Sequence, residues 1–122
     1  MKIEIHNING TVIAEVISEK CIINEVQDAL DLMADCGYQG ASKIILQEKN
    51  IVKDFFNLRT GIAGEVLQKF SNYRAQLAIV GDFTEYTSKS LRDFIYESNK
   101  TGRIFFVNSV EEALSGLSLF TI

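Results

Sequence analysis

The sequence is poor in the residues that build metal sites and catalytic pairs: it has two cysteines, one histidine, no proline and no tryptophan. Cys21 and Cys36 show no Cys-x-x-Cys spacing, and only His6 is available to join them, so no metal site is expected. No Ser-His-Asp or Cys-His pairing is predicted around that one histidine. We interpret both thiols as reduced structural residues; the alternative, one disulfide, requires an oxidising compartment.

Long apolar runs and an excess of positive charge are also missing. No run approaches the roughly 18 to 20 apolar residues that span a bilayer, and residues 1–5 alternate as a strand does, unlike a signal peptide. The formal net charge of −4 provides no basic field that would attract nucleic acid or anionic lipid. We therefore expect a cytoplasmic protein that binds neither nucleic acid nor membranes.

The sequence does contain enough apolar material for one hydrophobic core. Of its 122 residues, 47% are hydrophobic and 23% are charged, which is ordinary globular usage. A chain of this length buries roughly two thirds of its unfolded surface. No linker, repeat or low-complexity stretch interrupts it, so we expect a single domain over residues 1–122.

Hydrophobic periodicity predicts the elements and their order. Apolar residues alternate on both sides of Asn9-Gly10, the signature of a type I′ hairpin. Short apolar runs then predict buried strands at 43–46, 77–80 and 103–107. Helical spacing predicts helices at about 25–36, from Gly61 to about 73, after Ser88, and from Ser109 to about 114. The residues expected to cap these helices are Asn24, Thr60, Ser88 and Ser109. Residues 50–58 fit either a turn or two of helix or a packed loop.

The order β-β-α-β-α-β-α-β-α predicts an α/β fold with a mixed five-stranded sheet. Strands that alternate with helices connect through right-handed crossovers, so the last three strands should be parallel with helices packed against them. The N-terminal antiparallel hairpin completes the sheet. The segment 117–122 is unusually apolar for a terminus, which predicts that it docks on the body or covers a neighbouring subunit.

Two stretches resemble a known family: NLRTGIAGEVLQKF at 57–70 and AIVGDF at 78–83. They are similar to a bacterial family catalogued as domain of unknown function 4180, and the resemblance covers nearly the whole chain. That family implies no activity. The order of elements from Ile44 to Leu114 also resembles a STAS domain, the fold of anti-sigma-factor antagonists. This second resemblance implies a non-enzymatic regulatory module that binds other proteins.

STAS regulators typically carry Asp-Ser-Ser-Gly before the corresponding helix, and a partner kinase phosphorylates the second serine. The matching positions here are Leu58, Arg59, Thr60 and Gly61. The resemblance therefore implies that Thr60 takes the place of the phosphorylated hydroxyl. The acidic residue and the first serine of the pattern are replaced by Leu58 and Arg59.

The same loop has two further interpretations. In the first, the loop holds an anion at the positive end of a helix, with Thr60 as the helix cap, glycines at 61 and 64, and Arg59 beside them. Alternatively, Thr60 only caps, Gly61 and Gly64 let the helix pack closely on the sheet, and Arg59 pairs with a surface carboxylate. The string lacks the lysine of a P-loop and the Gly-x-Gly of a dinucleotide turn, so no cofactor is expected.

Asp82 follows the predicted strand at 77–80, at the sheet edge where ligands of open α/β folds gather, with Glu85 and Tyr86 close behind it. Its carboxylate is a candidate acid, base or metal ligand. General acid–base catalysis needs a second positioned group, and none is evident. The favoured interpretation of Asp82 is therefore a turn residue or a helix-side cap.

Two functional hypotheses follow. The first is a regulatory or protein-interaction module whose partner is another protein or a second copy of the chain. The second is a small enzyme or anion- or ligand-binding domain in which Arg59, Thr60 and Asp82 converge. A concave pocket that holds all three residues would favour the second hypothesis, and a convex loop with a flat apolar surround would favour the first.

Overall fold

The computed structural model describes residues 1–119. It opens with a hairpin of β1 (Lys2–Ile8) and β2 (Thr11–Ile17). Asn9 and Gly10 both have positive φ, 52° and 87°. Two such residues define the type I′ turn, so the predicted hairpin is confirmed.

Three further strands complete one sheet in the order β1-β2-β3-β4-β5: β3 (Lys43–Gln47), β4 (Gln76–Val80) and β5 (Ile104–Val107). The hairpin pair is antiparallel, and every other neighbouring pair is parallel. The helices are α1 (Val26–Tyr38), α2 (Ile62–Asn72), α3 (Lys89–Thr101) and α4 (Val110–Leu119). The predicted mixed five-stranded α/β sheet is therefore confirmed, with strand limits within a residue of those predicted.

The helices divide unequally between the two faces of the sheet. Apolar residues of α1, α2 and α3 form one buried cluster with one face of β2–β5. Ala113 and Leu117 of α4 form a second, smaller cluster on the opposite face, with Ile13, Ile45 and Phe105 among the strand residues. Because the strands are consecutive in the sheet, right-handed crossovers place the connecting helices on one face, and only α4 covers the other.

Two predicted helix limits are wrong. The N-cap of α1 is Glu25, because the Asp28 carboxylate accepts hydrogen bonds from the N–H groups of both Asn24 and Glu25, at 2.9 and 3.1 Å. The last helix continues beyond residue 114 to Leu119, since Leu117 is fully buried and its carbonyl accepts a hydrogen bond from the Lys43 ammonium.

Part of the predicted C-terminal docking lies outside the described residues. Leu117 belongs to the buried cluster beneath α4, whereas Leu119 is 81% exposed. Phe120 and Ile122 fall beyond the range that the structure describes. Docking of the segment as a whole stays a prediction.

Asn50 fixes the loop after β3 to the segment that follows β2. Its side chain is fully buried and donates to the carbonyls of Ser18 and Lys20, at 2.8 and 2.9 Å, while its amide oxygen accepts from the Gln47 N–H at 2.9 Å. Its backbone carbonyl accepts from Ile22 and Ile23. Asn50 therefore provides hydrogen-bond partners for backbone groups in the segment after β2 and in its own loop, both of which lie outside the regular strand pairing.

The two edges of the sheet differ. The Asn99 side chain on α3 accepts from the Phe106 N–H at 2.7 Å and donates to the Phe106 carbonyl at 3.2 Å. An amide group therefore takes the place of a neighbouring strand at Phe106 of β5. Across the described residues, nothing pairs with the outer edge of β1 in the same way.

Candidate functional site

The loop between β3 and α2 contains three of the predicted site residues, Arg59, Thr60 and Gly61. It forms three short 3-10 turns, Glu48–Asn50, Lys53–Phe56 and Leu58–Thr60. The sequence left open whether this segment is helical or a packed loop, and the answer is a series of single tight turns. Phe55 and Phe56 are buried beneath them, so the loop is anchored to the core.

Thr60 does not cap α2, contrary to the prediction. The N-cap is Gly61, with φ of 80°, a left-handed conformation that glycine adopts without strain. The Thr60 hydroxyl points back into the loop and donates to the carbonyls of Asp54 and Asn57, at 2.6 and 2.9 Å. Its oxygen lies 3.4 Å from the Ile62 N–H, a long contact for a cap.

Arg59 is exposed beside Thr60. Within residues 1–119 no carboxylate forms an ion pair with its guanidinium, so the predicted pairing with a surface carboxylate is not found. A Cβ placed on Gly61 or Gly64 would meet no atom within 4 Å. Close packing on the sheet therefore does not explain either glycine.

Asp82 is an exposed turn residue, the interpretation that the sequence favoured. Its carboxylate accepts hydrogen bonds from the Thr84 hydroxyl at 2.6 Å and the Thr84 N–H at 3.0 Å. These bonds hold the pKa of Asp82 below its ordinary value. No contact within the described chain joins Asp82 to Arg59 or Thr60.

A groove of about 590 Å³ lies beside this loop, outside the carboxyl end of β3. It has an apolar wall with a polar rim, and it is lined by Cys21, Asn24, Glu48, Lys49, Ile51, Val52, Lys53, Phe56 and Tyr86. We call it the Tyr86 groove. Arg59, Thr60 and Asp82 do not line it, so the three predicted residues do not converge in this groove.

Glu48 and Tyr86 form the central polar contact of the Tyr86 groove. The Tyr86 hydroxyl donates to Glu48 Oε2 at 2.6 Å, and its ring stacks on Phe56 with centroids 5.2 Å apart. Burial and the adjacent Glu48 carboxylate raise the pKa of Tyr86 well above its ordinary value. At neutral pH the phenol is therefore a hydrogen-bond donor and cannot act as a base.

This arrangement predicts that Tyr86 resists ionisation. In an absorbance titration, the Tyr86 phenol should stay protonated at pH 10, where a tyrosine side chain ordinarily ionises. Because the folded state favours the protonated phenol, its contribution to stability is present below pH 10 and is lost as the pH rises above it. A Tyr86→Phe variant should show an unchanged phenolate amplitude near pH 10; a reduced amplitude would contradict the prediction.

Gly81 explains how Glu48 reaches Tyr86. A Cβ on Gly81 would lie 2.5 Å from Oε1 and 2.8 Å from Cβ of Glu48. Only glycine therefore leaves room for the Glu48 side chain to cross the end of β4. Sequence reasoning missed Glu48, because nothing local indicates that it meets Gly81.

Neither the two thiols nor a second groove brings the predicted site residues together. Both cysteines are free: Cys21 is exposed at the Tyr86 groove, and Cys36 is buried on α1, where burial and Asp35 raise its pKa to about 11. A groove of about 550 Å³ between α1 and the end of α2 is lined mainly by apolar residues such as Leu30 and Met33. Residues 1–119 contain no cluster of three potential metal ligands, and no helix among them is long and apolar enough to cross a bilayer.

Comparison with known proteins gives one match. A family model described as "Domain of unknown function (DUF4180)" matches residues 8–117. No curated protein and no solved structure matches the chain. The resemblance seen in the stretches 57–70 and 78–83 is thereby confirmed.

Proposed function

The chain belongs to the family described as domain of unknown function (DUF4180), and we propose that it is a non-enzymatic regulatory module that binds a protein partner outside the carboxyl end of β3. The proposed contact surface combines the Tyr86 groove with the adjoining residues 57–61, and we call it the carboxyl-end surface. Its centre is the exposed Arg59-Thr60 pair.

The observation that carries this proposal is an exposed loop that is already ordered. The Asn57 side-chain oxygen accepts from the Arg59 N–H, and the Thr60 hydroxyl donates to the carbonyls of Asp54 and Asn57, so the last two turns are held in place. The Arg59 guanidinium, by contrast, makes no ion pair within the described chain. An ordered loop loses little conformational entropy on binding, and arginine is enriched among the residues that dominate protein interfaces. Such a loop is suited to recognition.

The titratable groups support binding over catalysis. Glu48 and Tyr86 are the only titratable side chains bonded to each other in the groove, and the raised pKa of the phenol leaves it without a base function. Asp82 is bound to Thr84 away from the groove. Acid–base chemistry requires a second positioned group, and the Glu48 carboxylate that faces the phenol is already bonded to it.

The resemblance to STAS regulators adds a means of control at Thr60. Phosphorylation would replace a hydroxyl that donates to two carbonyls, those of Asp54 and Asn57, with a dianion that repels them. The last 3-10 turn would then open and displace Arg59. A phosphate on Thr60 would therefore weaken partner binding through the shape of the loop as well as through charge.

The test compares proteins that co-purify from the native cell with the wild-type chain, with Arg59→Ala, and with the control Arg92→Ala at an exposed position of α3. We expect one stoichiometric partner that is lost with Arg59→Ala and retained with Arg92→Ala. When the partner and the chain are both purified, the Arg59→Ala variant should bind the partner at least about tenfold more weakly than wild type does. Absence of a partner, or equal loss in both variants, would contradict the proposal. Intact-mass analysis of the same samples tests for phosphate on Thr60.

A second candidate function is binding of a small molecule in the Tyr86 groove. Its volume of about 590 Å³ lies within the range of ligand pockets, and an apolar wall with a few polar groups is their usual lining. A thermal-stability screen would detect such a ligand. Stabilisation that is lost when Val52→Phe fills the groove, and kept in Arg59→Ala, would favour this function over a protein partner.

A further inference from the structure

Within residues 1–119, no strand pairs with the outer edge of β1. We infer that two copies of the chain pair antiparallel through their β1 strands and so join their five-stranded sheets into one. The surface involved is separate from the carboxyl-end surface, and the inference is independent of the proposed function.

The hairpin decides which backbone groups are available. A two-residue turn closes on a hydrogen-bonded pair, here Ile8 and Thr11, and the pattern then alternates along the strand. Ile8, His6, Glu4 and Lys2 therefore bond to β2. The N–H and C=O groups of Ile3, Ile5 and Asn7 point away from the sheet, towards solvent in the single chain.

The side chains of β1 are self-complementary in one antiparallel register. With the two-fold axis at Ile3, Lys2 lies opposite the partner's Glu4, and the same ion pair recurs on the other side of the axis. These are non-hydrogen-bonded positions, where opposing side chains come closest. On the other face, Met1, which is 62% exposed, lies opposite the partner's Ile5, which is 40% exposed. Both exposed apolar side chains are thereby covered.

The neighbouring registers are less favourable. An axis at Glu4 would place two carboxylates directly opposite each other, and like charges in such pairs are destabilising. An axis at Ile5 would place Glu4 opposite the partner's His6, but that imidazole already binds Glu15 at 2.8 Å. The same register would leave Lys2 opposite the apolar Ile8. Complementary charge therefore selects the axis at Ile3.

Sedimentation of the full chain over a range of concentrations tests the pairing, using wild type, Glu4→Lys, Lys2→Glu, the combined Lys2→Glu and Glu4→Lys variant, and the control Glu97→Lys on α3. A single pair of strands is a small interface, so we expect a weak dimer. Each single reversal should raise the dissociation constant roughly tenfold, because two ion pairs become like-charge pairs. The combined variant should restore dimerisation, and Glu97→Lys should leave it unchanged.

A monomeric wild type would overturn the inference, and so would a combined variant that stays as weak as the single ones. Amide hydrogen exchange provides a second readout that needs no substitution. The outward N–H groups of Ile3 and Ile5 should exchange more slowly as concentration rises, whereas those of Glu4 and His6, bonded to β2 in either state, should not change. A dimer in which the Ile3 and Ile5 amides stay unprotected would show that another surface is used.

Discussion

Asn50→Asp should lower the free energy of unfolding by about 3 kcal/mol at neutral pH. The substitution keeps the shape and the oxygen that accepts from Gln47, but it removes the N–H donors that bind the carbonyls of Ser18 and Lys20. A carboxylate would then face two carbonyl oxygens at a fully buried position. Urea unfolding at pH 7 measures the loss.

The pH dependence of the lost stability shows whether the buried carboxylate, rather than general damage to the core, is the cause. Burial and the two carbonyls should raise the pKa of the introduced carboxyl, so the folded state favours its protonated form. The variant should therefore recover part of its stability as the pH falls towards 5, relative to wild type at the same pH. Asn57→Asp is the matched control: Asn57 is exposed and uses only its side-chain oxygen, which accepts from Arg59 N–H, so the change should be under about 0.5 kcal/mol. A pH-independent loss at Asn50 would contradict the explanation.

Gly81→Ala should destabilise the fold by about 1–3 kcal/mol and separate Glu48 from Tyr86. The new methyl group would lie 2.5 Å from Glu48 Oε1 and 2.8 Å from Glu48 Cβ. The carboxylate must therefore rotate away, which breaks its 2.6 Å hydrogen bond with the phenol, and the backbone must shift to relieve the contact with Cβ. Without the adjacent carboxylate, the pKa of Tyr86 should fall towards its ordinary value. Absorbance titration should then show a larger phenolate amplitude near pH 10 than in wild type.

Gly64→Ala is the control for that substitution. Gly64 lies within α2, and a Cβ there meets no atom within 4 Å. Alanine is the better helix former, so this variant should gain up to about 1 kcal/mol and leave the Tyr86 titration unchanged. If both variants lost similar stability, the contact between Gly81 and Glu48 would not be the cause.

The parts of the fold that local patterns determine could be predicted from the sequence. Alternation around Asn9-Gly10 predicted the hairpin, and the run at 77–80 predicted the fully buried strand β4, because both signals lie within a few neighbouring residues. The predicted Ser88 cap is also present, with its hydroxyl accepting from the Leu91 N–H. Thr60 was misassigned because a threonine before glycine favours a cap, while its real acceptors, Asp54 and Asn57, depend on how the preceding turns fold.

The contacts that shape the candidate site could not be predicted in this way. Asn50 bonds to residues 30 and 32 positions earlier, and Tyr86 binds a carboxylate 38 positions away. Each is a single polar residue with no motif around it, so no spacing identifies its partner. Arg59 and Asp82 were both located correctly in loops, but the sequence did not reveal that they lie outside the groove.

The Asn99 amide on β5 has a consequence for assembly. A sheet whose two ends are both free can add subunits at either one and grow into a filament, which is the hazard of exposed edge strands. Here the Asn99 amide already occupies the outward N–H and C=O groups of Phe106 at one end, so β1 is the edge more open to a second copy. Pairing about a two-fold axis uses that end on both copies at once, and the assembly is then closed. A side chain on α3 would thus favour two subunits over a filament, although it lies at the opposite edge of the sheet from the contact itself.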